Sequence, residues 1–364
     1  MEKRSLHRRT VLTGLTSMLS LGWISCERRA PSPFPSTTGS QSSKSPEQPI
    51  IAITGAGATF PALLYQRWFV DFNQINPSIQ VNYQAVGTAA GIRQFIDNTT
   101  DFGASDIAMT DPEMAQVKQG ALLIPMTAGS VVVCYNLPGI SSGLKLSRSL
   151  LAEIFLGKIT QWRDPKIAEL NPDLSLPDLP IVVVYRADGS GTTATFTKHL
   201  SAINAAWKEQ VGSGVVVNWP TGAGAKGNEG VSAQVQLAEG VIAYVEYVYA
   251  KELDLSMAAL ENQAGNYILP TPESALSALN EVKLPENLRA FVDDPTGSTA
   301  FPIVTYTWIL AYRRYEDPNK AEALKQVLLW ALTDGQNRSP DLGYLPLPID
   351  VANRAKAVVE QIQT

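Results

Sequence analysis

Three short segments of the sequence place glycine beside serine or threonine, where an extended run gives way to a helical pattern. They are residues 54–61, 85–91 and 186–193. Glycine lets a ligand approach the backbone closely, and the first turn of a helix has N–H groups without intrahelical acceptors. These groups lie at the positive end of the helix dipole. Each segment alone is typical of an ordinary loop, but together they predict an anion site.

Two charged side chains indicate which class of anion could bind. Arg186 ends an extended run just before the third segment, where its guanidinium can grip two oxygens of a tetrahedral anion, and an ion pair with Asp188 is compatible with this role. Asp106 follows a short apolar segment, and a carboxylate repels an anion that has no proton. An ionised carboxylate only accepts hydrogen bonds, so it can receive P–OH from phosphate but finds no donor on sulfate.

The overall composition argues against several other functions. The chain has 364 residues, 45% hydrophobic and 17% charged, as expected for a globular protein. Removal of residues 1–25 takes away four basic and one acidic side chains and changes the formal net charge from -5 to -8, so no nucleic-acid partner is expected. No cysteine, histidine or acidic cluster has the spacing of a metal site, so neither a metal nor a cofactor is expected.

The sequence gives little support for an enzymatic function. Ser190 would need a base, and the chain has two histidines, His7 near the N-terminus and His199, which we expect to be an exposed helix residue. We therefore predict no catalytic residue. The sequence GAGAKG at 222–227 fits a dinucleotide-binding pattern, but Trp219 and Pro220 interrupt the preceding run. We expect a structural loop near the cleft.

The N-terminus is typical of an exported protein. A basic start is followed by the largely apolar, uncharged run 11–24 and then by Cys26, which together predict a signal peptide over residues 1–25. Cys26 is the predicted site of lipidation, although Trp23 departs from that pattern. Residues 26–49 are rich in Ser, Pro, Thr and Gln, which predicts a flexible tether. Cys134 is expected to be a small core residue.

Extended runs alternate with helical patterns over the remaining chain, which predicts an α/β fold. The predicted strands are residues 50–53, 80–86, 122–135, 181–186, 215–218, 241–248 and 301–312. Three apolar stripes predict core-facing helices: Phe60, Leu64, Trp68 and Phe72; Phe196, Leu200, Ile203 and Trp207; and Leu324, Val327, Leu328 and Ala331. About 315 residues exceed the usual size of one core, so two lobes are expected.

Five motifs in fixed order resemble those of the periplasmic phosphate-binding proteins of phosphate-specific ABC transport, from about residue 51 onward. They are GAGATFP at 55–61, DFGASD at 101–106, FLGKI at 155–159, RADGSGT at 186–192 and GVIAYVEY at 240–247. The resemblance implies a two-lobed periplasmic-binding-protein fold (type II), with a mixed sheet flanked by helices in each lobe and a two-strand hinge. It implies lobe 1 from residues 50–130 and 301–364, lobe 2 from residues 131–300, and a hinge near residues 127–133 and 302–307.

The resemblance also implies the ligand-binding residues, the location of the protein and its transport partner. Phosphate would contact Thr59, Phe60, Thr88, Asp106, Arg186, Ser190, Gly191 and Thr192, with Asp188 orienting Arg186. The family commonly has serine where this chain has Thr88, which retains a hydroxyl. The implied protein is an exported monomer, periplasmic or on the outer face of the plasma membrane, that binds inorganic phosphate and delivers it to the permease of an ABC importer. It touches the membrane only through a lipid at Cys26. The alternatives are a binding protein for another oxyanion and, in a different class, a secreted phosphatase-like enzyme.

Overall fold

The structure is a computed structural model that describes residues 49–290, 292 and 294–364. The predicted signal peptide, the lipidation site Cys26 and all but the last residue of the predicted tether lie outside the described residues. The described residues form one compact unit. Within the described part of the chain, no helix combines the length and apolar character needed to cross a membrane.

Strands and helices alternate along the described chain, as the α/β prediction requires. The strands are β1 (Ile51–Gly57), β2 (Ile79–Ala85), β3 (Phe102–Ser105), β4 (Ala121–Tyr135), β5 (Lys145–Leu146), β6 (Val182–Arg186), β7 (Ala223–Ala225), β8 (Val241–Glu246), β9 (Ser256–Met257), β10 (Ala259–Glu261), β11 (Tyr267–Ile268) and β12 (Val304–Tyr312). The helices are α1 (Ala62–Ile75), α2 (Thr88–Ile96), α3 (Asp111–Met114), α4 (Arg148–Phe155), α5 (Pro165–Leu170), α6 (Gly191–Ile203), α7 (Ala205–Gln210), α8 (Gly227–Leu237), α9 (Tyr247–Glu252), α10 (Pro272–Leu279), α11 (Pro318–Ala331), α12 (Ser339–Leu342) and α13 (Ile349–Val359), with a 3-10 turn at Asp334–Arg338.

One mixed sheet runs through the described residues in the order β2-β1-β3-β12-β4-β8-β6-β7, with β9 also paired to β4. Strands β1, β2 and β3 are mutually parallel, and so are β6, β7 and β8. The pairs β3–β12, β12–β4 and β4–β8 are antiparallel. The two parallel groups are therefore joined through β12 and β4.

Strand β4 links the two parts of the sheet because it is long enough to pair with different neighbours along its length. Its residues up to Ser130 pair with β12, and from Val131 onward they pair with β8. The 15 residues of β4 and the nine of β12 are all buried, which is typical of central strands that are covered on both faces. The register between β12 and β4 shifts after Thr307. The lobe boundaries given above stay a prediction.

The predicted apolar stripes account for much of the core. Leu64, Trp68 and Phe72 on α1 are buried, and so are the four predicted residues on α11. The second stripe spans α6 and α7, and its Ile203 is only partly buried. Four fully buried tryptophans, Trp68, Trp162, Trp207 and Trp308, each donate the indole N–H to a backbone carbonyl, which satisfies the polar end of a large apolar group. Cys134 is a free, fully buried core residue, as predicted.

Some sequence predictions are wrong. Residues 215–218 form a loop, and the predicted strand 241–248 ends at Glu246, where α9 begins. His199 is buried with 6% exposure rather than exposed, and it lines a cavity together with Ile107 and Thr305, which other segments of the chain contribute. Burial lowers the pKa of His199 to about 4, so its imidazole is neutral near neutral pH.

Candidate functional site

The predicted site residues lie where strands end and helices begin. Thr59 and Phe60 connect β1 to α1, Thr88 begins α2, and Asp106 directly follows β3. Arg186 is the last residue of β6, and the turn after it leads to Ser190, Gly191 and Thr192 at the start of α6. The side chains of Thr59, Thr88, Asp106, Arg186, Ser190 and Thr192 are each at most 4% exposed. Ligands of α/β proteins are commonly bound at such strand ends.

The two sequence blocks that contain these residues are in direct contact. The N–H of Ala89 donates to the carbonyl of Gly189 at 3.0 Å. A Cβ atom on Gly191 would lie 2.6 Å from the Cβ of Asp106 and 2.8 Å from Oγ1 of Thr88. Any side chain at 191 would therefore collide with the other block, so glycine is required for this approach. The structure brings residues 59–106 and 186–192 together at one place.

Glycine is also required at position 87, immediately before α2. Gly87 has φ of 97°, a conformation that residues with a side chain rarely adopt. A Cβ atom there would lie 2.5 Å from Oδ2 of Asp188. The glycine thus allows the start of α2 to approach the turn that follows β6, and Thr88 enters the site as the first residue of this helix.

Three hydroxyl groups of the site share one hydrogen-bonding pattern. Oγ1 of Thr59 accepts from Nδ2 of Asn228 at 2.9 Å, and Oγ of Ser190 accepts from the N–H of Thr193 at 3.1 Å. Oγ1 of Thr192 accepts a longer bond of 3.4 Å from Nη1 of Arg186. A hydroxyl that accepts from the protein still has its own proton to donate. The side chain of Thr59 does not cap α1, whose N-cap residue is Pro61.

Backbone donors add to these hydroxyls. Within the described residues, no acceptor is found for the N–H groups of Phe60, Gly191 and Thr192. Gly191 and Thr192 occupy the first turn of α6, where N–H groups have no intrahelical acceptor. The site is therefore rich in donors and lies at the positive end of a helix dipole, an arrangement that stabilises an anion.

Arg186 is held in place by Asp188. Nε donates to Oδ1 at 2.8 Å, and Nη2 donates to Oδ2, so the fork of the guanidinium is paired on one side. Asp188 also accepts from the N–H of Gly227 at 2.9 Å. Burial acts to raise the pKa of Asp188, but the hydrogen bonds and charge of Arg186 hold it below its ordinary value. Asp188 is therefore ionised, and Nη1 of Arg186 remains directed toward Thr192.

Asp106 has a different environment, because it is almost completely buried and its side-chain hydrogen bonds come from hydroxyl groups. Its Oδ2 accepts from Oγ1 of Thr88 at 3.3 Å, and its Oδ1 accepts from Oγ1 of Thr307 at 3.2 Å. Burial raises the pKa of Asp106 to about 7, against the opposing effects of the Arg186 charge and the two hydroxyls. Near neutral pH this carboxyl can therefore either accept a proton or donate one.

Sequence reasoning missed several residues that surround the site. Thr307 on β12 supports Asp106, and Tyr249 on α9 donates its hydroxyl to the carbonyl of Thr59 at 2.7 Å. Asn228, which contacts Thr59, follows the glycine-rich segment 222–227, which we predicted to be a structural loop near the cleft. That segment forms β7 and the first residue of α8, and it lies against Asp188 through Gly227. The sequence indicated the glycine-rich segment, but it did not indicate which residues the segment contacts.

Metal binding finds no structural basis in the described residues. No group of three or more histidine, cysteine, aspartate or glutamate side chains is placed there to hold a metal ion. The site combines hydroxyls, N–H groups, one guanidinium and one carboxyl of raised pKa. These groups can bind and orient an oxyanion without further chemistry.

Comparison with known proteins agrees with this geometry. A family model described as a PBP superfamily domain matches residues 35–334. The phosphate-binding protein PstS of Haemophilus influenzae is 42% identical over 311 residues, which cover 84% of this chain and 92% of the relative. The phosphate-binding protein PstS of Methanocaldococcus jannaschii is 39% identical over 351 residues, which cover 89% of this chain and 90% of the relative.

A solved structure with low sequence identity shares the fold. The phosphate-binding protein of Stenotrophomonas maltophilia is 19% identical and superposes with a TM-score of 0.66. The superposition covers 84% of this chain and 93% of that protein. At this low identity the superposition shows only a shared architecture, which is the two-lobed arrangement of mixed sheets and flanking helices.

Proposed function

This chain belongs to the phosphate-binding proteins of the PBP superfamily, and from that membership we propose that it captures inorganic phosphate for an ABC importer. The observation that carries the proposal is the convergence of donors on one buried place that also holds a single carboxyl of raised pKa. Hydrogen-bond donors alone could bind any oxyanion. The carboxyl of Asp106 suits an oxyanion that brings a proton.

We assign the ligand contacts as follows. Phosphate oxygens accept hydrogen bonds from the N–H groups of Phe60, Gly191 and Thr192 and from the hydroxyls of Thr59, Ser190 and Thr192. Arg186 supplies the positive charge, Asp188 orients it, and Asp106 accepts the phosphate proton. Thr88 remains a proposed contact of phosphate and also donates to Asp106. Because these residues come from both sequence blocks, lobe closure completes the site and separation of the lobes releases the ligand.

Titration of the purified full-length protein with inorganic phosphate tests the function. We expect one phosphate to bind per chain in isothermal titration calorimetry, with little change when sulfate is present in large excess. Sulfate offers no proton to Asp106, so the buried carboxylate would face it without a donor. Absence of a phosphate signal would reject the function, and equal competition by sulfate would point to a general oxyanion-binding protein.

The same assignment includes the location of the protein and its partners. The chain is an exported monomer that carries its phosphate to the transmembrane permease, with residues 1–25 removed as a signal peptide and residues 26–49 serving as a tether. Lobe 1 consists of residues 50–130 and 301–364, lobe 2 of residues 131–300. The relatives named above are binding proteins rather than enzymes, and this chain performs no chemistry on phosphate.

Lipidation of Cys26 is a separate prediction with its own measurement. Mass spectrometry of the mature protein from a bacterial membrane fraction should find a chain that begins at Cys26 and carries a diacylglyceryl group. Replacement of this cysteine in a Cys26→Ser variant should move the protein from the membrane fraction to the soluble fraction, since the lipid is the proposed attachment. An unmodified Cys26 in the mature chain would contradict the anchor but leave phosphate binding untouched.

A further inference from the structure

A short hydrogen-bond relay connects the start of α8 to the turn after β1. Nδ2 of Asn228 donates to Oγ1 of Thr59 at 2.9 Å, and the backbone N–H of Asn228 lies 3.3 Å from the same oxygen. Asn228 is 0% exposed and Thr59 is 2% exposed. The two residues lie 169 positions apart in the sequence, in different proposed lobes. The contact therefore crosses the cleft that holds the candidate site.

The amide of Asn228 has a defined orientation. Its Oδ1 accepts from the backbone N–H of Glu246 at 3.1 Å. A backbone N–H can only donate, so the oxygen of the amide must face Glu246 and the NH2 group must face Thr59. Glu246 is itself held because its carboxylate accepts from the N–H of Val248 at 2.9 Å at the start of α9. The donor that reaches Thr59 is thus fixed by a buried backbone group.

This orientation determines what the hydroxyl of Thr59 can do. A threonine hydroxyl has two acceptor lone pairs and one proton. Asn228 directs two donors at Oγ1 of Thr59, its backbone N–H and its side-chain amide. The hydroxyl proton of Thr59 therefore has no acceptor on that side and points away from Asn228. The carbonyl of Thr59 is meanwhile held by the hydroxyl of Tyr249 at 2.7 Å. The residue is restrained through its backbone and its side chain, and its one remaining donor is directed elsewhere.

We propose that Asn228 is a positioning residue for ligand binding, which turns the hydroxyl proton of Thr59 toward the bound oxyanion. The inference rests on the proposed function, since Thr59 is there assigned as a ligand contact. Asn228 belongs to the other lobe, so it orients this donor only when the lobes are together. In the closed protein the hydroxyl is then held toward the ligand by Asn228 as well as by the ligand itself, which strengthens the closed, ligand-bound form.

A set of variants at positions 59 and 228 tests this role. We expect Asn228→Ala to weaken phosphate binding about tenfold, as for the loss of one buried hydrogen bond. In a Thr59→Ser background the same change should again cost about tenfold, because the serine retains the hydroxyl. In a Thr59→Val background, where no hydroxyl remains to be oriented, Asn228→Ala should cause no further loss. The measurement is calorimetric titration with inorganic phosphate, with unfolding followed in parallel.

Two additional variants separate positioning from folding. Asn228→Asp keeps the size of the side chain and an oxygen for the N–H of Glu246 but replaces the donor to Thr59 by an acceptor, so it should also weaken binding. Asn262 is equally buried and donates to the carbonyls of Gly297, Ser298 and Ala300, away from the site. Asn262→Ala should therefore lower stability and leave phosphate affinity unchanged.

The possible outcomes distinguish this inference from the proposed function. Suppose that the unaltered protein binds phosphate normally and that Asn228→Ala costs the same affinity with the native Thr59 as it does in the Thr59→Val background. That result would overturn the positioning role alone. Unchanged affinity in both Asn228→Ala and Asn228→Asp would do the same. Failure of the unaltered protein to bind phosphate would instead reject the proposed function, and the positioning role would fall with it.

Discussion

Replacement of Arg186 by alanine should weaken phosphate binding by about 3 kcal/mol or more, which is roughly a 100-fold increase in Kd. Arg186 brings the positive charge proposed to meet the ligand, and its side chain is only 1% exposed. Its loss would leave the carboxylate of Asp188 without its ion-pair partner beside an incoming anion. The variant should therefore lose the attraction and gain a repulsion. Calorimetric titration with phosphate measures the change.

A matched ion pair elsewhere in the chain serves as the control. Arg148 makes two hydrogen bonds of 2.7 Å to the carboxylate of Asp294, the same kind of two-point contact, but it is not among the proposed ligand residues. Arg148→Ala should reduce stability with little effect on affinity. Arg186→Lys should recover only part of the loss, since an ammonium cannot hold Asp188 at two points and reach the ligand as well. Near-normal affinity in Arg186→Ala would exclude Arg186 from contact with phosphate.

The parts of the candidate site that the sequence predicted are those that have a local sequence signature. The segment from Arg186 to Thr192 contains a strand end, a turn and a helix start, and each of these has a local signature in glycine, serine and charge. The same holds for the turn from β1 to α1. Anion binding at a helix start depends on backbone groups within a few residues, so such candidate segments can be recognised in sequence order, and the structure brings them together.

The missed parts depend on contacts between distant segments. Asn228 meets Thr59 across 169 residues, and Thr307 meets Asp106 across 201 residues. No periodicity or spacing in a single sequence predicts such pairs. Residues 215–218 illustrate the opposite error, because three adjacent valines favour a strand, yet the main-chain contact there is one bond from the N–H of Ser190 to the carbonyl of Val215. A β-rich run without a neighbouring strand remains a loop.

Burial was also difficult to predict where two parts of the molecule meet. His199 lies three residues after Phe196 and borders the apolar stripe, and a histidine at such an edge is often exposed. In the folded protein His199 lines a cavity that is also lined by Ile107 and Thr305. The hydrophobic pattern of a helix indicates the centre of its core-facing surface, and it does not indicate whether other segments also cover the edge of that surface.

At about pH 9, two units above the pKa of Asp106, replacement of Asp106 by asparagine should erode the discrimination between phosphate and sulfate by roughly 100-fold, equivalent to about 3 kcal/mol. Asparagine has nearly the same shape, but it is neutral and can present an N–H group where the carboxylate presents an acceptor. Sulfate then no longer meets a negative charge without a donor, while phosphate loses its acceptor. The measurement is a competition titration of both anions on the variant and the unaltered protein.

Asp101 provides the control for this prediction, because it is an aspartate of the same proposed lobe and is not among the proposed ligand residues. Its carboxylate accepts from Nζ of Lys320 and from the N–H of Thr54, both at 2.8 Å. Asp101→Asn should alter stability but retain the preference for phosphate. Unchanged selectivity in Asp106→Asn would contradict the proposed role of Asp106 as the group that recognises the phosphate proton.

The raised pKa of Asp106 extends this prediction to pH. In the ligand-free protein, Asp106 should bind a proton as the pH falls through about 7, and the protonated carboxyl can then donate to an oxyanion. Sulfate stays unprotonated between about pH 5 and pH 8, so its affinity for the unaltered protein should rise by up to about tenfold for each pH unit as the pH falls toward about 7, and it should level off below that point. In Asp106→Asn the sulfate affinity should lack this dependence, because the amide does not titrate. A sulfate affinity that is flat with pH in the unaltered protein would mean that the charge on Asp106 does not cause the selectivity.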